Sequence, residues 1–593
     1  MKTTQFLILS LLLFLPTSLF SQSLGDAREL YAAGNWDTAK EAYSDLYKKG
    51  DPNIQVEAAL EISGILWEQG QYAKALKWTQ TTKELIQKTG KNELKSRRLF
   101  TLGNILASKG KFGKSYSTLQ FCQKEARKYK DLSFEVLCRI SARFVRQLQG
   151  KSTTSKKQYQ SDLKKLKSTG QPMLVGTALA KTASLRDSAG RYGDAIHLLK
   201  MAHGQFKISK SDPALARNKL RMAAVYQNAG QWSDSKKQLA GLVSTFRNMN
   251  NKPALVTLYS LKGRQAQYDG DSKAAKKYLT KAQVNASSLS SPQIRAQVDL
   301  GFCELYTDAQ HLNNAQKYCD RAYENFSKIG LWTLAARSKI MLGGLAQSRS
   351  ELELAAQSYK SALGILERIG NQTFVKRDIA FQKTNYCQVS WELKRAEAPT
   401  ICLNATRSFG GIKKDATVYN AMAKAHYILA HLKKKKKEKI ANFKNAARLF
   451  EKGGQPARSA DALLRAAERM KAKVSVPLLN KALGLVTSKA IIKNRIPEEV
   501  RINILTHLSE DLMELSQWKD ALENLNLLKN SARRQKDWTS LSWAHNARAR
   551  VLLKTKGRPE ALTALRECID TSKKAHDKTQ EDLCEENLKK LSK

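Results

Sequence analysis

The sequence predicts an all-α solenoid of about fourteen antiparallel helical hairpins stacked along a chain of 593 residues. Three observations predict it. A short phrase, a glycine with an aromatic two positions later and a small residue three positions after that, recurs on a forty-residue grid. The segments flanking each phrase carry apolar residues at helical spacing. The eight cysteines form four pairs whose midpoints fall on turns.

The first element is the leader. Residues MKTTQFLILSLLLFLPTSLFSQS hold Lys2, an apolar run from Phe6 to Leu15, Pro16, and a small-x-small site at Ser21 and Ser23. Such a run is shorter than the ~20 apolar residues that cross a bilayer, so residues 1–23 read as a secretory signal peptide, an uncleaved anchor being the alternative. No cysteine precedes Cys122, so a lipid-bearing cysteine is absent, and no later stretch reaches the ~18 uninterrupted apolar residues of a membrane span. The expected location is the periplasm or the extracellular space, with no transmembrane span in the mature chain.

The hairpins follow. The phrase stands at Gly34 with Trp36 and Ala39, Gly70 with Tyr72 and Ala75, Gly110 with Phe112 and Ser115, Gly190 with Tyr192 and Ala195, Gly230 with Trp232 and Ser235, and Gly270 with Ala275. Weaker copies start at Gln310, Ser350, Ser516 and Gly557. Segments before it, such as LFTLGNILASKG, and after it, such as LELAAQSYKSALGIL, are amphipathic helices, and the glycine is the turn between them. It suits a helix C-terminus because it accepts a left-handed backbone. The small residue lets the second helix approach the first, and the aromatic fills the wedge beside the turn. Roughly 570 residues after the leader, at forty per unit, give about fourteen units, and KTQEDLCEENLKKLSK caps the stack. Each hairpin is expected to be supported by its neighbours alone, leaving a long concave groove.

These residues resemble the tetratricopeptide repeats. Leu102-Gly103 and Leu342-Gly343 before the turn, the turn glycine, the aromatic after it, and Ala355, Tyr359 and Ala362 match that family's pattern. The forty-residue length is similar to the long-helix variants of kinesin light chains and some bacterial regulators and scaffolds. The resemblance implies a right-handed superhelical solenoid and a protein-interaction role. It also implies groove-facing residues on the first helix of each hairpin, six and three positions before the turn, among them Asn104, Gln227, Arg264 and Gln267. The pattern lapses near 394, 434 and 474, where LKKKKKEK or KVSVP replaces the glycine. The expected division is therefore a signal peptide at 1–23, an N-terminal solenoid at 24–390, degenerate repeats at 391–515 and C-terminal repeats with the cap at 516–593.

The cysteines predict bridges Cys122–Cys138, Cys303–Cys319, Cys387–Cys402 and Cys568–Cys584, because residues equidistant from a turn in antiparallel helices face each other. Such bonds fit an oxidising compartment. Eight buried thiols acting as small apolar residues are the alternative.

Chemistry-bearing motifs are scarce. The chain has no Cys-x-x-Cys, His-Glu-x-x-His, Gly-x-Ser-x-Gly or phosphate-loop pattern, and His426 and His431 stand five apart, a poor spacing for a shared metal. No enzyme, cofactor or metal is expected. Lys and Arg number 102 against 53 Asp and Glu, a net charge of +49. Export argues against nucleic acid as the partner of this charge. The densest cluster, Lys433, Lys434, Lys435, Lys436, Lys437 and Lys439, is either a solvated loop or a contact for an anionic envelope lipid or polysaccharide. The expected function is a non-catalytic scaffold of the cell envelope that holds a partner segment, an acidic one by charge, in its groove. The alternatives are an adaptor gripping anionic lipid or polysaccharide, and a regulatory subunit of an envelope enzyme.

Overall fold

The computed structural model describes residues 23–151, 156–309, 311–369, 373–412, 414–487 and 498–593. The signal-peptide reading of residues 1–23 lies outside the described residues except at Ser23, which caps the first helix, and the weak turn copy at Gln310 also lies outside them. Among the described residues, helices pair into fourteen antiparallel hairpins followed by the single helix Lys578–Ser592, with no strand. The chain is an all-α solenoid of tetratricopeptide-like hairpins.

One hairpin shows how the sequence builds the rest. Asp51 accepts hydrogen bonds from the Asn53 and Ile54 amides, and Pro52, which has no amide hydrogen to leave unpaired, opens the helix Pro52–Glu68. At its end Gly70 takes φ +82°. The Gly70 amide then donates to Trp67 O at 3.0 Å and the Gln71 amide to Leu66 O at 2.8 Å, the bond pair that closes a helix with a left-handed residue. Tyr72 begins the returning helix Tyr72–Thr89, and Ala75 is fully buried. The matching small residue is fully buried at Ala39, Ser115, Ala195, Ser235, Ala275, Ala315, Ala355, Ala521 and Ala561. A glycine on the first helix leaves room for a side chain of the second: a Cβ on Gly103 would lie 2.7 Å from Leu119, and one on Gly343 2.7 Å from Tyr359.

The backbone repeats twice as often as the sequence. From 110 to 270 a residue with positive φ falls every twenty positions, at Gly110, Lys130, Gly150, Gly170, Gly190, Lys210, Gly230, Asn250 and Gly270. The loop between hairpins thus has the same left-handed ending as the turn within them, but lysine or asparagine often supplies it. At 394 the missing glycine is replaced in the same way by Lys394, at φ +53°. Near 474 the expectation of a turn is corrected: Val474 and Pro477 lie inside the helix Ala472–Thr487, and the chain reverses just before it. One second helix is interrupted, Trp232–Leu239 and Leu242–Asn248 meeting at Gly241 with φ +73°.

The described residues divide into two compact units at the boundary between Val375 and Lys376. In the N-terminal unit the superhelix touches itself. Gly34 faces Met249, Gly70 faces Leu289 and Pro253, Gly110 faces Ile329, and Gly150 faces Ile369. Leu289, Ile329 and Ile369 each follow their glycine by 219 residues, about five and a half forty-residue units per superhelical turn. Polar contacts join the same seam: Ser291 Oγ donates to Ser108 O at 2.7 Å and Gln69 Nε2 to Met249 O at 3.4 Å. One buried cluster accordingly contains Ala27 to Ile105 together with Ala216 to Leu305. The expectation that hairpins are supported only by sequence neighbours is therefore corrected for this unit. Turns without side chains leave room for aliphatic residues arriving from the next superhelical turn. The C-terminal unit has its own core, running from Ala423 through Phe450, Leu479 and Leu525 to Val551.

The four cysteine pairs sit as bridges with Cα–Cα distances of 6.0, 5.0, 4.8 and 6.2 Å in chain order, all eight residues fully buried. Cys303–Cys319 and Cys387–Cys402 each close one hairpin, whereas Cys122–Cys138 and Cys568–Cys584 tie a second helix to the first helix after it.

Candidate functional site

The first helices of the N-terminal unit surround a cavity of about 360 Å³. Trp67 and Glu68 come from Pro52–Glu68, Phe100 and Asn104 from Lys95–Ser108, Phe134, Ser141 and Phe144 from Leu132–Leu148, Leu174 and Lys181 from Pro172–Ser188, and Arg217 and Arg221 from Asp212–Asn228. Gln293, arriving from the next superhelical turn, also lines it. A second cavity of about 420 Å³ shares Trp67, Glu68, Ser108, Arg217, Arg221 and Gln293, so Glu68, Arg217 and Arg221 stand where the two meet, while Lys181 lines the first.

The charge in this space is unbalanced. Arg217 Nη1 lies 3.0 Å from Glu68 Oε1, and its guanidinium is 5.8 Å above the Trp36 ring. Lys181 Nζ donates to Asn104 Oδ1 at 3.0 Å and lies 5.4 Å from the Phe100 ring centroid. Among the described residues, neither Lys181 nor Arg221 has a carboxylate at ion-pair distance. Burial pushes the Lys181 ammonium down to about 8, Arg221 adding to the effect and Glu68 opposing it. Burial pushes the Arg221 guanidinium down to about 10, with Arg217 adding to it. Ser141 is 2% exposed, and its hydroxyl has no hydrogen-bond partner among the described residues. The site thus offers two unmatched cations, a free hydroxyl and an aromatic wall, which suits binding an anion.

Of the residues expected to face a groove, Asn104 lies on this cavity. The other three serve neighbouring hairpins. Gln227 is 3% exposed and donates to Leu261 O at 2.9 Å, Gln267 Nε2 donates to Asp308 Oδ2 at 3.3 Å, and Arg264 Nη1 reaches Asn228 Oδ1 at 3.5 Å. They belong to a ladder joining successive first helices. Trp67 Nε1 donates to Ser108 Oγ at 3.0 Å, Gln147 Nε2 to Ser188 Oγ at 2.6 Å, and Asn228 Nδ2 to Asp187 Oδ1 at 3.0 Å, each across 41 residues. The position three before the turn therefore holds hairpins together.

In the C-terminal unit the lysine run spans the turn between Ala416–Leu432 and Lys436–Lys452. Lys433 pairs with Glu438 at 2.8 Å, while Lys434, Lys435, Lys436 and Lys437 are exposed and Lys439 is half-buried. No group of His, Cys, Asp and Glu able to hold a metal occurs among the described residues, and no helix among them is long and apolar enough to cross a membrane.

No protein-family model matches the sequence, and no curated protein does. Solved structures with a similar backbone include the apo form of RapI, at 13% identity and a TM-score of 0.44 over 61% of this chain and 99% of that one. A Rap protein complexed with competence and sporulation factor is similar at 13% identity and 0.33, over 64% of this chain and 98% of its own. An IFIT1 monomeric mutant with Gppp-AAAA is similar at 13% identity and 0.41, over 76% and 98%. These are likenesses of backbone, and nothing about ligands passes from them to this chain.

Proposed function

We propose that this chain is a non-catalytic binding scaffold of the cell envelope, holding an acidic partner segment against the inner face of its N-terminal hairpins. The observation that carries the reading is the excess of cations there: Lys181, Arg217 and Arg221 stand against Glu68 alone. A partner carboxylate relieves a desolvated, unmatched cation, and the positive field speeds encounter at low salt. The buried cysteine pairs and the leader-like first residues support an oxidising, exported setting. The test places a photoreactive residue at Thr177 on the cavity wall or at exposed Lys276 on a second helix. Irradiation of intact cells is expected to give one discrete protein adduct from the first position and none from the second. Equal labelling from both, or none from Thr177, refutes the reading.

The exposed lysines favour a second reading, an adaptor for anionic lipid or polysaccharide. Sedimentation with anionic vesicles that is lost when Lys434 to Lys437 are changed to Gln supports it, and sedimentation independent of those residues rejects it.

A further inference from the structure

We propose that the cavity inside the N-terminal unit binds a small amphipathic anion, its head between Lys181 and Arg221 and its apolar tail along Phe100, Phe134, Phe144 and Leu174. This goes beyond the scaffold reading, because the occupant is a small molecule and one chain supplies the whole site.

Three independent features converge. The first is charge. The lone carboxylate among the described lining residues, Glu68, is taken by Arg217 at 3.0 Å, so Lys181 and Arg221 face the cavity without a counter-ion. A cation held out of water without a partner is costly, and an anionic head removes that cost. The second is the Ser141 hydroxyl, on a residue that lines the same cavity at 2% exposure and without a hydrogen-bond partner among the described residues, a buried polar group left for a ligand to satisfy. The third is shape. About 360 Å³ is at the lower end of the ~300–1,000 Å³ of small-molecule sites, and the rings of Phe100, Phe134 and Phe144 with Leu174 give a tail an apolar wall. Gln293 from the next superhelical turn completes the lining.

A carboxylate and a phosphate share this head-group chemistry, and the experiment separates them. Full-length protein with its bridges intact is loaded with dansyl-undecanoic acid. Decanoate, decyl phosphate and neutral decanol are then compared as displacers. At least one of the two anions is expected to displace the probe at about one-tenth the concentration of decanol or less, and the better anion identifies the head. Changing Lys181→Gln together with Arg221→Gln is expected to weaken that anion about tenfold or more, while Arg221→Lys alone retains most of the affinity. Leu174→Trp, which fills tail space and leaves the charges in place, is expected to weaken anion and probe together. Far-UV circular dichroism selects the variants that fold, and either the charge variant or the tryptophan variant suffices. Decanol matching both anions, or folded variants binding like the parent, overturns the proposal. Crosslinking at Thr177 to a protein partner is scored separately, so either idea can fail alone.

Discussion

Consider the seam at Gly70 and Leu289. Gly70 sits at φ +82°, and a Cβ there would run into Leu289 Cδ2, with Pro253 Cγ at 3.0 Å. Gly70→Ala therefore costs about 1–2 kcal/mol for the left-handed backbone, and more from the collision. Leu289 is 2% exposed, so Leu289→Ala costs about 2–5 kcal/mol through lost burial and the void it leaves. In the double variant the new methyl enters the space the leucine vacated. The two changes should then be sub-additive by about 1–2 kcal/mol, the range for residues in contact. Urea unfolding followed by circular dichroism gives the midpoints, and native-state amide exchange in Pro52–Glu68 gives the local free energy, which matters because long repeat arrays need not unfold in one step. Additivity within ~0.5 kcal/mol would mean that residues 219 positions apart do not touch, and the superhelical seam would be refuted.

Three further outcomes are expected. Replacing Cys387 and Cys402 by Ser opens a loop of 15 residues worth about 3 kcal/mol in the chain-entropy account, read as faster proteolysis of that hairpin. Unchanged proteolysis would rule out the stabilising role. Asp299 is 2% exposed, and burial raises its carboxyl from 3.8 to about 6 against the pull of Arg321 at 3.0 Å. The folded state thus binds the proton more tightly, so stability falls as pH rises from about 4 to about 6, by on the order of 2 kcal/mol. Asp299→Asn should flatten that part of a melting-temperature series, and an unchanged slope would assign it elsewhere. Anion binding in the cavity favours protonated Lys181, so displacement by decanoate should weaken above about pH 8. A flat profile to pH 10, with Lys181→Gln equally flat, would remove Lys181 from the head site.

The hairpins were legible because the residues that make them are local. Gly70, Tyr72 and Ala75 do three jobs within six positions, and the same jobs recur forty residues on. The cysteine pairing was legible for the same reason, since 15 or 16 residues is one turn with equal arms. The seam was not, because Leu289 reads as any aliphatic loop residue until the pitch of the superhelix brings it to Gly70. The cavity was hidden in the same way. Phe100 and Phe134 read as ordinary core, and Lys181 and Arg221 read as two of 102 basic residues. The bonds of Gln227 to Leu261 O, 34 residues on, and of Gln267 to Asp308, 41 residues on, were not legible either: the family pattern gives position on the helix, while these bonds depend on the neighbouring hairpin.

A repeat array of this kind ordinarily grows or shrinks by copying or losing a module, and the self-contact of the N-terminal unit restricts where such editing is tolerated. A forty-residue duplication between Gly150 and Leu289 would bring Gly70 opposite the wrong loop and would misalign the matching pairs at Gly110 and Gly150 together. Modules added outside the stretch from Gly34 to Ile369 leave all those pairings intact. Length variation among descendants of this chain should therefore gather beyond that stretch, with the coil around the cavity kept at constant length.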